Sequence, residues 1–146
     1  MTTLDDGARD DGRTATLVAR LVALVDGLTY ASEGDYPFAV VTQRDPDPSA
    51  PLDAALLRRA LGLAPTTPIE LRPVDALLAR HTHATDPLDA RAQALRPRYE
   101  ALAACLAASL HDVTGVRAGR TQVRTWLLGR DDAGRLVGVE TLAIET

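Results

Sequence analysis

The sequence predicts an α+β domain in which helices pack on a small, mostly antiparallel sheet. Three observations lead there. Apolar residues recur at helical spacing in the first two thirds of the chain. The last third switches to Val/Thr/Leu/Ile-rich runs separated by Arg130-Asp131-Asp132-Ala133-Gly134, a hairpin signal. The length, 146 residues with 46% hydrophobic, suits one domain with one core.

Residues 1–13 are polar and acidic and are expected to form a flexible tail, leaving 14–146 as the domain. From Thr14 to Asp26, Leu17, Leu21, Leu24 and Val25 fall on one helical face. Asp10, Asp11 or Thr14 could cap that helix and Gly27 could end it. Ser32 to Pro37 is polar and turn-rich, and Phe38 to Gln43 reads as a strand. Asp45 to Pro51 holds three prolines and is a loop; Leu52 to Leu61 is helical, with Gly62 as its stop. Ile69 to Arg72 is a short strand, Val74 to Arg80 a short helix, and His81 to Leu88 a loop. The Leu102/Leu106/Leu110 face makes a helix to His111. Pro97 lacks a backbone donor, so that helix is expected to start there, with any turn at 88–95 separate or kinked. Gln122 to Leu128 and Leu136 to Ile144 are the hairpin arms.

Charge and composition exclude several functions. Twenty acidic residues face sixteen basic ones, all Arg, for a net charge of -4 and a pI near 5.3. Backbone-gripping nucleic-acid binders carry a basic excess, and single-strand binders carry stacking platforms. Here the aromatics are only Tyr30, Tyr36, Phe38, Tyr99 and Trp126. The lone Cys105 sits in a helical apolar pattern and reads as a buried small residue. Its isolation suits a reducing, cytoplasmic setting. The first residues lack a signal-peptide pattern, and no apolar run approaches the ~20 residues of a membrane span.

Few motifs carry chemistry. His81 and His83 with Asp86 and Asp89 form the one metal-like cluster, but such a pattern in an acidic loop is commonly solvated. Ser32 lacks a nucleophile-elbow context, and neither a P-loop nor a dinucleotide turn is present. Arg117, Arg120, Arg124, Arg130 and Arg135 read as solvent-facing strand and turn residues. More informative is Ser32-Glu33-Gly34-Asp35, two carboxylates and a hydroxyl on a turn, followed by Tyr36-Pro37-Phe38, which can pin it to the core. At the other end a strand pattern runs directly into Glu145-Thr146, placing a hydroxyl and a carboxylate at a defined spot.

These segments, taken in order, resemble the nuclease A inhibitors, small acidic proteins that block a non-specific Mg-dependent endonuclease. The resemblance rests on Asp26-Gly27-Leu28, on Ser32 to Phe38 (family pattern S-E-S-E-Y-P-F), on Pro68 to Thr82, and on Leu127 to Thr146 with its terminal Glu-Thr. It implies a three-layer α/β/α sandwich resembling the plant pathogenesis-related proteins. It implies a non-enzymatic inhibitor, monomeric when free, with no cofactor or metal of its own. Glu33 and Thr146 would approach the partner's Mg, with Ser32, Asp35 and Asp86 contributing to the contact. The family's tryptophan after that aspartate is Pro87 here, which removes a favoured interface anchor, and Gly34 replaces a serine, which should loosen the turn. Mg favours hard oxygen donors, and a groove built for phosphate is positive, so these acids would mimic substrate charge. Such an interface would bury on the order of 1,600 Å². Two other readings remain: the same fold serving as an interaction module for a non-nuclease partner, which Pro87 favours, and a metal-dependent enzyme using His81, His83 and Asp86.

Overall fold

The computed structural model describes residues 2–83 and 85–146, with side chains from residue 12 onward. Its elements in chain order are α1 (Thr2–Val25), β1 (Thr29–Ala31), β2 (Asp35–Pro37), β3 (Ala39–Arg44), α2 (Ala54–Ala60), β4 (Ile69–Arg72), α3 (Val74–Thr82), α4 (Ala90–Ser109), β5 (His111–Ala118), β6 (Gln122–Arg130) and β7 (Arg135–Ile144). The main sheet has the order β3-β7-β6-β5-β4, and every described pairing in it is antiparallel. β1 and β2 form a separate hairpin, paired Tyr30 to Tyr36.

Strand alternation explains why the sheet is covered on both faces. Val123, Leu127, Val137, Val139 and Ala143 point to one side and pack with Leu21, Leu77, Leu78, Leu102 and Leu106 from α1, α3 and α4. Their neighbours Trp126, Leu128 and Leu136 point to the other side, against Leu57 of α2 and Leu61 just beyond it. The result is the expected three-layer α/β/α arrangement. Each fully buried Leu or Val contributes about 1.5–3 kcal/mol relative to exposure, so the large helical layer supplies most of the burial. Gly138 lies in the middle of this sheet because a Cβ there would meet the Leu127 carbonyl oxygen at 2.0 Å. Among the described residues, no helix is long and apolar enough to cross a membrane.

Several expectations are corrected. α1 starts at Thr2, so its helix runs through the segment expected to be a tail, and Thr14 is interior rather than a cap. The Thr14 hydroxyl instead donates to Asp131 Oδ2 at 2.8 Å, tying α1 to the β6–β7 turn. The C-terminal stop is as expected, with Gly27 at φ 75°. α4 begins at Ala90, capped by Asp89, and runs straight through Pro97. Pro97 is exposed, and the turns after it bury Tyr99, Leu102 and Leu106, so packing outweighs the ~3 kcal/mol cost of an interior proline. α3 extends over His81 and Thr82, which were expected in the loop. β5 was not expected at all, nor were the three-residue β1 and β2.

Candidate functional site

The turn Ser32-Glu33-Gly34 caps the β1–β2 hairpin and lies against the end of β7. Ser32 holds it closed. The Ser32 amide and hydroxyl both donate to the Gly34 carbonyl, at 3.1 and 2.8 Å. The same hydroxyl accepts from the Ile144 amide at 3.0 Å, and the Glu33 amide donates to the Ile144 carbonyl at 3.3 Å. The sequence suggests that Gly34 loosens this turn, yet two bonds from Ser32 converge on its carbonyl, and its missing side chain lets the Tyr36 ring approach. Phe38 anchors the following strand in the core, edge-on to Tyr30 at 6.1 Å. Tyr36 and Pro37 stay exposed, but the Thr141 hydroxyl donates to both their carbonyls, at 3.2 and 2.9 Å.

This staple brings Glu33 and Thr146 together. The Thr146 hydroxyl lies 2.9 and 2.7 Å from the two Glu33 carboxylate oxygens, and the Thr146 amide donates to Oε1 at 3.4 Å. Both residues are exposed. Alternation along the chain sends the intervening Glu145 elsewhere. Its carboxylate pairs with Arg117, which also reaches Glu70 at 3.7 Å, and its amide donates to the Thr121 carbonyl at 2.8 Å.

Beneath the hairpin, an open cavity of about 340 Å³ is lined by Ala31, Asp35, Arg80, His81, Asp86, Asp89, Arg91 and Tyr99, among others. Asp35 and Asp86 thus share one depression, and Asp35 is two residues from Glu33. Pro87, next to Asp86 in the chain, is exposed. The cavity floor is a brace that the sequence did not disclose. His81 stacks on Tyr99 at 4.0 Å and accepts the Ala31 amide on Nε2 at 3.2 Å. Arg80 lies 4.9 Å over the Tyr30 ring and donates to the Ala31 carbonyl. Tyr99 donates to the Thr29 carbonyl at 2.5 Å. Desolvation raises the Tyr99 and Tyr30 pKa values and keeps both hydroxyls as donors.

Burial, and then the neighbouring Arg80, push His81 down to about 4, against a smaller opposing pull from Asp35. The ring is neutral in the folded protein and its acceptor role depends on that. The unfolded chain takes up a proton near pH 6.5 while the folded chain resists it, so the stability present above that pH declines as pH falls toward 4. For this half-buried group, allowing for solvent screening, we expect a loss on the order of 1–2 kcal/mol. Denaturant melts at pH 7 and pH 4.5 check it: His81→Gln should flatten the difference, and an equal decline in both proteins would count against His81.

The metal reading loses its ligands. His81 turns inward, whereas His83 is exposed beside Asp75, Thr82 and Glu100 in a different depression. Among the described residues, no group of three or more His, Cys, Asp or Glu side chains could hold a metal. The Arg-rich stretch is not a free basic face either. Arg124 pairs with Glu140 and lies over Trp126, Arg117 pairs with Glu70 and Glu145, and Arg130 is buried on Asp45. Cys105 is buried, as expected.

Comparison with curated proteins finds no match. A family model does match, that of the nuclease A inhibitor-like proteins, over residues 15–146. It spans the Ser32–Phe38 turn, the Asp86 loop and the β6–β7 hairpin through Thr146, and it carries with it a nuclease-inhibitor role and a nuclease as partner. The chain therefore belongs to the nuclease A inhibitor-like family.

Proposed function

We propose that this protein inhibits a Mg-dependent, non-specific endonuclease by presenting Glu33 and Thr146 to the nuclease's catalytic metal, and that it has no catalytic role of its own. The observation carrying this reading is the convergence of the Glu33 carboxylate and Thr146 hydroxyl at one exposed point. A carboxylate and a hydroxyl are hard oxygen donors of the kind Mg accepts in place of water. Their backbones are fixed beforehand by Ser32 and Ile144, so little ordering remains to be done on binding. Asp35 and Asp86 add negative charge beside them, which complements a groove shaped for phosphate. Ser32 acts by positioning the turn, and Pro87 by shaping the Asp86 loop. The inhibitor works as a monomer in the cytoplasm.

The test is plasmid cleavage by the organism's own Mg-dependent non-specific endonuclease. Wild-type protein should block it stoichiometrically, and Glu33→Ala and Thr146→Ala should block it poorly. Full inhibition by both variants would sink the contact mechanism, and no inhibition by wild type would sink the function.

A further inference from the structure

The loop between α3 and α4 ends in the sequence Asp86-Pro87-Leu88-Asp89, which dictates its own shape. Asp at the first position and Pro at the second are β-turn residues. The Asp89 amide closes the turn on the Asp86 carbonyl at 3.1 Å. The Asp86 carboxylate accepts the Leu88 amide at 2.9 Å, and Gln93 Nε2 donates to the Asp86 carbonyl at 2.9 Å. Asp89 caps α4 through the Ala92 amide at 3.0 Å. These bonds hold Leu88 at the apex with 92% of its surface exposed, whereas the next most exposed large apolar residue among those described, Val22, is at 53%.

A single exposed leucine is ordinary on a protein surface. This one differs in where it is held. Its neighbours in the turn, Asp86 and Asp89, line the same depression as Asp35 beside the Glu33 turn, together with Arg80 and Arg91. It is thus continuous with the surface assigned to the nuclease. We infer that Leu88 is the apolar anchor of that interface, entering an apolar depression in the nuclease that is rimmed by Arg or Lys side chains. The inference rests on the inhibitor reading. Because the turn is already closed, burying Leu88 gains apolar contact at little cost in loop ordering, and an apolar centre ringed by paired charges is the usual composition of an interface anchor. Pro87 then has a positive role: it pre-sets the backbone that holds Leu88 out.

The experiment measures binding to the organism's own Mg-dependent non-specific endonuclease by surface plasmon resonance, using wild type, Leu88→Ala, Leu88→Asp, Leu88→Met and Glu33→Ala. Leu88→Ala should weaken binding about tenfold and Leu88→Asp about a hundredfold, mainly through faster dissociation, with Leu88→Met near wild type. Melting temperatures should stay within about 2 °C of wild type, since the side chain touches little in the free protein. If wild type binds, Glu33→Ala weakens it and Leu88→Asp binds normally, the anchor is overturned and the inhibitor reading stands. If wild type does not bind, both fall together.

Discussion

Thr146→Ala and Glu33→Ala are each expected to raise the dissociation constant for the nuclease by about 30-fold or more, equivalent to about 2 kcal/mol. The size follows from what each removes. A charged or hydroxyl oxygen buried at the centre of an interface leaves its partner without compensation when it is truncated, and such losses run from 2 to 5 kcal/mol. Neither variant should lose more than about 0.5 kcal/mol of folding stability, because both side chains are exposed. The two losses should not add. Thr146 binds the Glu33 carboxylate through its hydroxyl and its amide, so removing Glu33 also frees the position of Thr146. The double variant should fall short of the summed single losses by about 1 kcal/mol or more. Additive losses measured by isothermal calorimetry would mean that the pair does not act as a unit.

The second large effect is on stability. Arg130 reaches inward from β6 to Asp45 Oδ2 at 2.7 Å, Asp112 Oδ2 at 3.2 Å and the Asp47 carbonyl at 3.0 Å. The Asp45 side chain is 1% exposed, while that of Asp112 is 60% exposed. Burial opposes the charge on Arg130, but the hydrogen bonds and charges of Asp45 and, to a lesser extent, Asp112 together outweigh it and raise the pKa. Removing Arg130 therefore strands a buried carboxylate, and Arg130→Met should cost about 3–5 kcal/mol in urea denaturation. Asp112→Ala should cost under about 1 kcal/mol, since its carboxylate is mostly solvated. Asp45→Leu combined with Arg130→Met should recover part of the loss, because no uncompensated charge remains. Equal effects of Arg130→Met and Asp112→Ala would show that burial of Asp45 is not what makes the network costly to break.

Much of the fold was legible wherever local chemistry agreed with tertiary placement. Ile69–Arg72 is a strand as expected, and the β6–β7 hairpin turns where the Asp-Asp-Ala-Gly signal lies. Pro97 misled because its cost is local, whereas the gain from burying Tyr99 and Leu102 on the same helix is not. β5 escaped because the apolar run of α4 leads into it through Leu110, and its entry carries an irregular register between His111 and Thr114. β1 and β2, at three residues each, are too short to show a period. At the site, no spacing rule joins two residues 113 positions apart, so the meeting of Glu33 with Thr146 was expected from the family resemblance alone. His81 reads from the sequence as a loop residue, but the fold turns it inward: its ring stacks on Tyr99, and its Nε2 lone pair, the one a metal would need, accepts the Ala31 amide.

An inhibitor that occupies the place of the scissile phosphate must compete with nucleic acid: a fluorescent, uncleavable DNA duplex is bound to the Mg-loaded nuclease and the inhibitor is titrated in. Displacement of the duplex at one inhibitor per nuclease, weakened in parallel by Glu33→Ala and Thr146→Ala, is the expected result. A ternary complex in which duplex and inhibitor are bound together would contradict it.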